Sequence, residues 1–157
     1  MFILFMDRKG ILLTHAVPRG QTVNSEYYSK VLRRDLVQAL RKKRPYLAAN
    51  IEQVILHQDI APAHTSLKTN LEIDLLGFEC LKHPPYSPDL APMDFAVFPH
   101  IKSFLRGQRF DDLPELRQEV MNIILKMKTE QFEKIFDDWL KRCKKCVALK
   151  GDYVEKS

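Results

Sequence analysis

The 157 residues predict an α/β domain with a helical C-terminal region, and three observations carry that prediction. Two short apolar runs flank a turn sequence at the start of the chain. A strand pattern, a helix pattern and a second strand pattern follow one another between Val54 and Leu81. Beyond Gly107 the apolar residues recur at helical spacing and nothing reads as a strand. No internal repeat, low-complexity tract or flexible linker interrupts the chain, so one domain spanning residues 1–157 is expected.

The elements follow in order. Phe2 to Met6 and Ile11 to Val17 are apolar runs separated by Asp7-Arg8-Lys9-Gly10, the pattern of a β-hairpin. From an N-cap at Asn24 or Ser25, apolar positions Tyr28, Val31, Leu32, Leu36, Ala39 and Leu40 keep helical period until Pro45. The opposite face carries Lys30, Arg33, Arg34, Arg41, Lys42, Lys43 and Arg44, either a DNA-facing surface or a solvated one. Val54-Ile55-Leu56 reads as a short buried strand ending at His57. A helix with Leu67, Leu71 and Leu75 inward then runs to Gly77, and Phe78 to Leu81 forms the next strand, parallel to the first. Pro84, Pro85, Pro88 and Pro92 stiffen the following strap and exclude helix and central strand there. Pro92 opens a helix with Phe95, Phe98 and Ile101 inward, and Pro99 is expected to kink it. Two more helices follow, with Leu116, Val120, Ile123, Ile124 and Met127 inward on one and Phe132, Ile135, Phe136, Trp139, Leu140 and Cys143 inward on the other.

Composition narrows the function classes. With 45% apolar and 29% charged residues the chain is an ordinary folded domain, and its formal charge of +5 suits either a polyanionic partner or a well-solvated surface. No stretch approaches the roughly 18 apolar residues of a membrane span. The opening apolar run is too short for a signal-peptide core and runs directly into Asp7, so an intracellular protein is expected. Three cysteines give no disulfide framework, and Cys143-Lys-Lys-Cys146 supplies only half of a four-ligand zinc site.

The chemistry concentrates in two blocks. In His57-Gln58-Asp59-Ile60-Ala61-Pro62-Ala63-His64 an aspartate falls just past a strand end, where α/β domains gather ligands. In Tyr86-Ser87-Pro88-Asp89-Leu90-Ala91-Pro92-Met93-Asp94 a second aspartate, 35 positions on, enters the first turn of a helix. Two carboxylates at element ends in a basic chain are what a divalent metal needs for phosphodiester chemistry, because Mg²⁺ takes hard oxygen ligands and few of them. Asp94 has a structural reading beside this one, as a first-turn helix stabiliser worth about 0.3–1 kcal/mol.

These blocks, with His83-Pro-Pro leading into the second, resemble the second and third catalytic blocks of mariner transposases, in the Tc/mariner superfamily of cut-and-paste DNA transposases. The aspartate spacing is similar too, as are the hairpin at Asp7-Arg-Lys-Gly10, Gly20-Gln-Thr-Val-Asn24, Lys43-Arg-Pro45 and the tail from Cys146 to Tyr153. The resemblance implies an RNase H-like mixed sheet flanked by helices, two Mg²⁺ or Mn²⁺ ions held by acidic residues, and phosphodiester hydrolysis followed by strand transfer. It also implies transposon-end DNA as partner, a homodimer, the nucleus as location, and no membrane or small-molecule substrate. Asp59 and Asp94 would be the second and third metal-binding, catalytic acids. Arg41, Lys42, Lys43, His64, Tyr86 and Ser87 are candidates for nucleic-acid contact; packing and capping are the competing readings for Tyr86 and Ser87, and for His64 and His57 neutral rings packed beside the strand end. Asp89 is assigned a turn or capping role.

The pattern departs from the family in three ways. The first catalytic strand and its aspartate, and the N-terminal helix-turn-helix region, have no counterpart in these residues. Asp7 is no substitute, since it occupies the hairpin turn. Ile60 stands where the family usually has asparagine, and isoleucine offers no hydrogen bond to a ligand or phosphate. Loss of one acid implies a catalytically impaired, N-terminally truncated domain whose sheet has two unpaired edges. A non-catalytic DNA-binding or dimerising remnant is the alternative.

Overall fold

The computed structural model describes residues 1–156, which divide into two compact units: Met1–Asp7 with Ile11–Pro85, and Arg8–Gly10 with Tyr86 onward.

In the first unit the hairpin forms as expected, with β1 (Phe2–Asp7) beside β2 (Gly10–Ala16). The Asn24 side chain accepts the Tyr27 N–H at 2.9 Å and starts α1 (Ser25–Lys30). The helical run then widens into a π-helical stretch (Val31–Leu36) and returns to α geometry in α2 (Val37–Lys43). Tyr28, Val31, Leu32, Leu36 and Leu40 are all buried, so the apolar stripe survives the widening. Pro45 ends α2 yet opens α3 (Pro45–Ala49), where its missing N–H is no loss. β3 (Ile55–His57) pairs in parallel with β4 (Glu79–Leu81), in the register Ile55↔Glu79, Leu56↔Cys80, His57↔Leu81. Between them lie the single turn α4 (Pro62–Thr65) and α5 (Leu67–Leu76), the latter stopped by Gly77 at φ 83°. Leu12, Tyr28, Leu32, Leu36, Leu40, Leu56, Ile73 and Phe78 form the core of this unit.

Two expectations fail here. Leu67, Leu71 and Leu75 face solvent, at 89%, 59% and 75% exposure, and α5 instead buries Thr69 and Ile73. Thr69 can take an inward position because its hydroxyl donates to the Ala63 carbonyl at 2.6 Å, which removes the penalty of burying it. Ile55 is also exposed, so β3 buries only Leu56 and is not covered on both faces. The hairpin and the β3–β4 pair are separate two-stranded sheets that do not close on each other.

In the second unit the strap passes through a 3₁₀ turn (Pro88–Leu90) into a π-helical stretch (Met93–Val97) and then α6 (Phe98–Leu105). The wide turn is the local answer to Pro99, which lacks an N–H and crowds the carbonyl four residues back. It also shifts the buried register: Val97 is fully buried with Ile101, while Phe98, expected inward, is 40% exposed. Asp112 caps α7 (Leu113–Lys126) by accepting the Glu115 N–H at 2.8 Å, and Ile123 and Ile124 are buried from it. α8 (Thr129–Ala148) buries Phe132 but leaves Leu140 exposed, against expectation. A final 3₁₀ turn (Val154–Lys156) closes the described chain. No helix among the described residues is long and apolar enough to cross a membrane.

Candidate functional site

Asp59 follows β3 by two residues and its carboxylate is 56% exposed. Its Oδ1 accepts the Ala61 N–H at 3.1 Å, an Asx turn that fixes the side chain against the backbone where α4 begins. The same oxygen accepts a 2.5 Å hydrogen bond from Nδ1 of His64, on α4. A carboxylate only accepts, so the proton of this bond sits on the His64 nitrogen. Both bonds fall on Oδ1, and Oδ2 is left as a hard oxygen donor on a half-exposed group, which suits Mg²⁺ or Mn²⁺.

Behind this pair lies a chain of polar contacts that sequence reading missed. The buried Tyr28 hydroxyl donates to Gln58 Oε1 at 2.8 Å, and Gln58 Nε2 donates to the His64 carbonyl at 3.0 Å. The Tyr28 and His64 rings lie 4.4 Å apart between centroids. Burial, reinforced by Asp59, raises the Tyr28 pKa well above the usual phenol value, so the hydroxyl stays a donor and the Gln58 amide orientation is set. Tyr28 read as core because it lies on the apolar stripe; its polar tip was the available signal. His57 meets His83, with Nε2 to Nδ1 at 3.1 Å. Burial, and then His83, push the His57 pKa down to about 4, against a smaller opposing effect of Asp59.

Asp94 lies in the second unit, exposed, in the first turn of the π-helical stretch, with its N–H donating to the Ala91 carbonyl at 2.9 Å. Residues far along the chain hold that turn in place. The Arg142 guanidinium stacks 4.2 Å over the Phe95 ring, donates to Asp138 at 2.9 Å and Glu155 at 3.0 Å, and reaches the Asp89 carbonyl at 3.2 Å. Asp89 is buried; its Oδ2 accepts the Val154 N–H at 2.9 Å, while Oδ1 is buried without a hydrogen-bond partner. Its side chain thus anchors the tail, where the sequence assigns it a turn or capping role in the strap. Tyr86 adopts φ 53°, rare for a side chain of this size, and the residue is 85% exposed. Ser87 precedes the 3₁₀ turn without a side-chain cap.

The basic candidates divide. Arg41 and Lys42 are exposed, while Lys43 donates to the Ile11 carbonyl at 2.9 Å and struts α2 against the hairpin. Arg44 forms a bidentate pair with Asp7 at 2.6 and 2.8 Å, so Asp7 is a structural anion. No group of three or more His, Cys, Asp or Glu side chains poised to hold a metal occurs among the described residues.

Comparison with known proteins identifies the fold and the family. The family described as Transposase (partial DDE domain) matches residues 1–49. The crystal structure of the catalytic domain of Mos1 mariner transposase superposes with a TM-score of 0.89 at 31% identity, covering 97% of this chain and 74% of that one. The Mos1 paired end complex with Mn superposes with a TM-score of 0.86, covering 43% of that chain. The fold is therefore that of the RNase H-like DDE recombinases. The chain belongs to the mariner-type transposases, as part of their catalytic domain. Among curated proteins, the Mariner Mos1 transposase of Drosophila mauritiana is 32% identical over 155 residues, 99% of this chain and 45% of that protein. Human histone-lysine N-methyltransferase SETMAR is 28% identical over 155 residues, 22% of its length. The chain thus spans under half of the curated relatives it matches. The Mos1 catalytic domain has also been solved, together with Raltegravir, with Mg and with Mn.

Proposed function

We propose that this chain supplies the second and third acidic metal ligands, Asp59 and Asp94, of a mariner-type DNA transposase that cuts and rejoins phosphodiester bonds at transposon ends. The observation that carries the reading is the Asp59 carboxylate, held at a strand end through one oxygen by Ala61 and His64 while the other remains a hard donor on an exposed group. A divalent ion, Mg²⁺ or Mn²⁺, supplies charge neutralisation and activation of a nucleophile when bound. The residues of this chain orient the ligands: His64 and the Asx turn fix Asp59, the Tyr28–Gln58 contact fixes the loop below it, and Arg142 fixes the turn that carries Asp94. Exposed Arg41 and Lys42, with Tyr86 and Ser87 on the strap, are the proposed DNA contacts, and a homodimer acting in the nucleus on transposon termini is the proposed context. Cleavage that relies on these two carboxylates alone is expected to be slight.

The test is prolonged incubation with nicked or single-stranded DNA and Mn²⁺ or Mg²⁺. Slight cleavage that disappears on chelation and in Asp59→Ala and Asp94→Ala supports the proposal. Salt-sensitive DNA binding with no dependence on metal or on either aspartate supports the DNA-binding remnant instead.

A further inference from the structure

The carboxylate apparatus leaves His57 and His83 without a task. His57 is the last residue of β3 and pairs in register with Leu81, so His83 follows just past the matching end of β4. The facing nitrogens, His57 Nε2 and His83 Nδ1, are 3.1 Å apart, and the ring planes cross at 69° with centroids 5.0 Å apart. Both residues are partly buried rather than sealed.

We propose that these two imidazoles form a bidentate site for a late first-row divalent ion, Ni²⁺, Cu²⁺ or Zn²⁺, separate from the oxygen ligands Asp59 and Asp94. Nitrogens 3.1 Å apart subtend about 100° at an ion with metal–nitrogen bonds of about 2.05 Å, between the square-planar and tetrahedral angles. Imidazole nitrogen suits these ions, whereas Mg²⁺ prefers oxygen. Entry of the ion replaces the ring-to-ring hydrogen bond. The proton on one facing nitrogen moves to the outer nitrogen of the same ring through solvent, so both rings bind as neutral imidazole and no net proton is lost. Water fills the remaining positions. The bound ion ties together the ends of β3 and β4, the part of the first unit from which Asp59 projects, and stabilises the native state by mass action. This proposal does not rest on the transposase reading.

The experiment is titration of the tag-free chain with Ni²⁺ in excess Mg²⁺, followed by imidazole NMR and thermal unfolding. The His57 and His83 ring signals are expected to broaden together at sub-stoichiometric Ni²⁺ while those of His15 and His100 persist, and the unfolding midpoint rises. His83→Gln is expected to lose at least tenfold in Ni²⁺ affinity and the rise in midpoint. Preferential broadening of His15 or His100, or affinity in His83→Gln within twofold of the native chain, overturns the proposal. The native-chain spectra decide the matter even if the variant folds poorly.

Discussion

A single histidine illustrates how this chain uses its protein environment. His57 is neutral in the folded state down to about pH 4, because burial and the neighbouring His83 disfavour its charge. In the unfolded chain it titrates near the ordinary value of about 6.5. Between these values the unfolded state binds more protons, so stability rises with pH. The contribution is fully present above about pH 6.5 and is lost as pH falls toward 4. Unfolding midpoints measured across pH 4–7 are therefore expected to fall on acidification, and His57→Gln to flatten that slope; an unchanged slope refutes the burial argument. His64 is legible in the sequence as part of a block with Asp59, and the structure brings the two together. Tyr28 is 30 positions from Gln58, and Arg142 is 53 from Asp89. No local pattern reports such contacts, since each depends on tertiary packing.

Elements were legible where period and punctuation agreed. The hairpin, the Asn24 cap, the parallel pair and the Gly77 stop all follow from short-range rules. The π-helical widenings at Val31–Leu36 and Met93–Val97 have no hydrophobic signature, and the second displaced Phe98 from the buried side. On α5 the leucine stripe carried the same spacing as a core stripe, but Thr69, satisfied by the Ala63 carbonyl, took the inward face with Ile73. Mutation separates these faces. Ile73→Ala is expected to cost about 2–5 kcal/mol, as for a buried aliphatic residue. Leu71→Ala is expected to stay within about 0.5 kcal/mol of the native chain. Denaturant unfolding of both variants checks this, and equal losses would place the leucines in the core after all.

The chain carries a net positive charge, and its described residues form two separate two-stranded sheets, with Asp59 and Asp94 on different units. The family was legible because both motif blocks and their spacing persist, whereas the mutual placement of Asp59 and Asp94 is not encoded in either block alone. The central proposal is that both aspartates serve as metal ligands. Its most direct test is Fe²⁺-driven hydroxyl-radical cleavage of the polypeptide, in which a bound iron cuts the backbone beside it. Cuts are expected near both Asp59 and Asp94, suppressed together by excess Mg²⁺ and by Asp94→Asn. Cuts near Asp59 that persist in Asp94→Asn, or no cut near Asp94, would contradict the proposal.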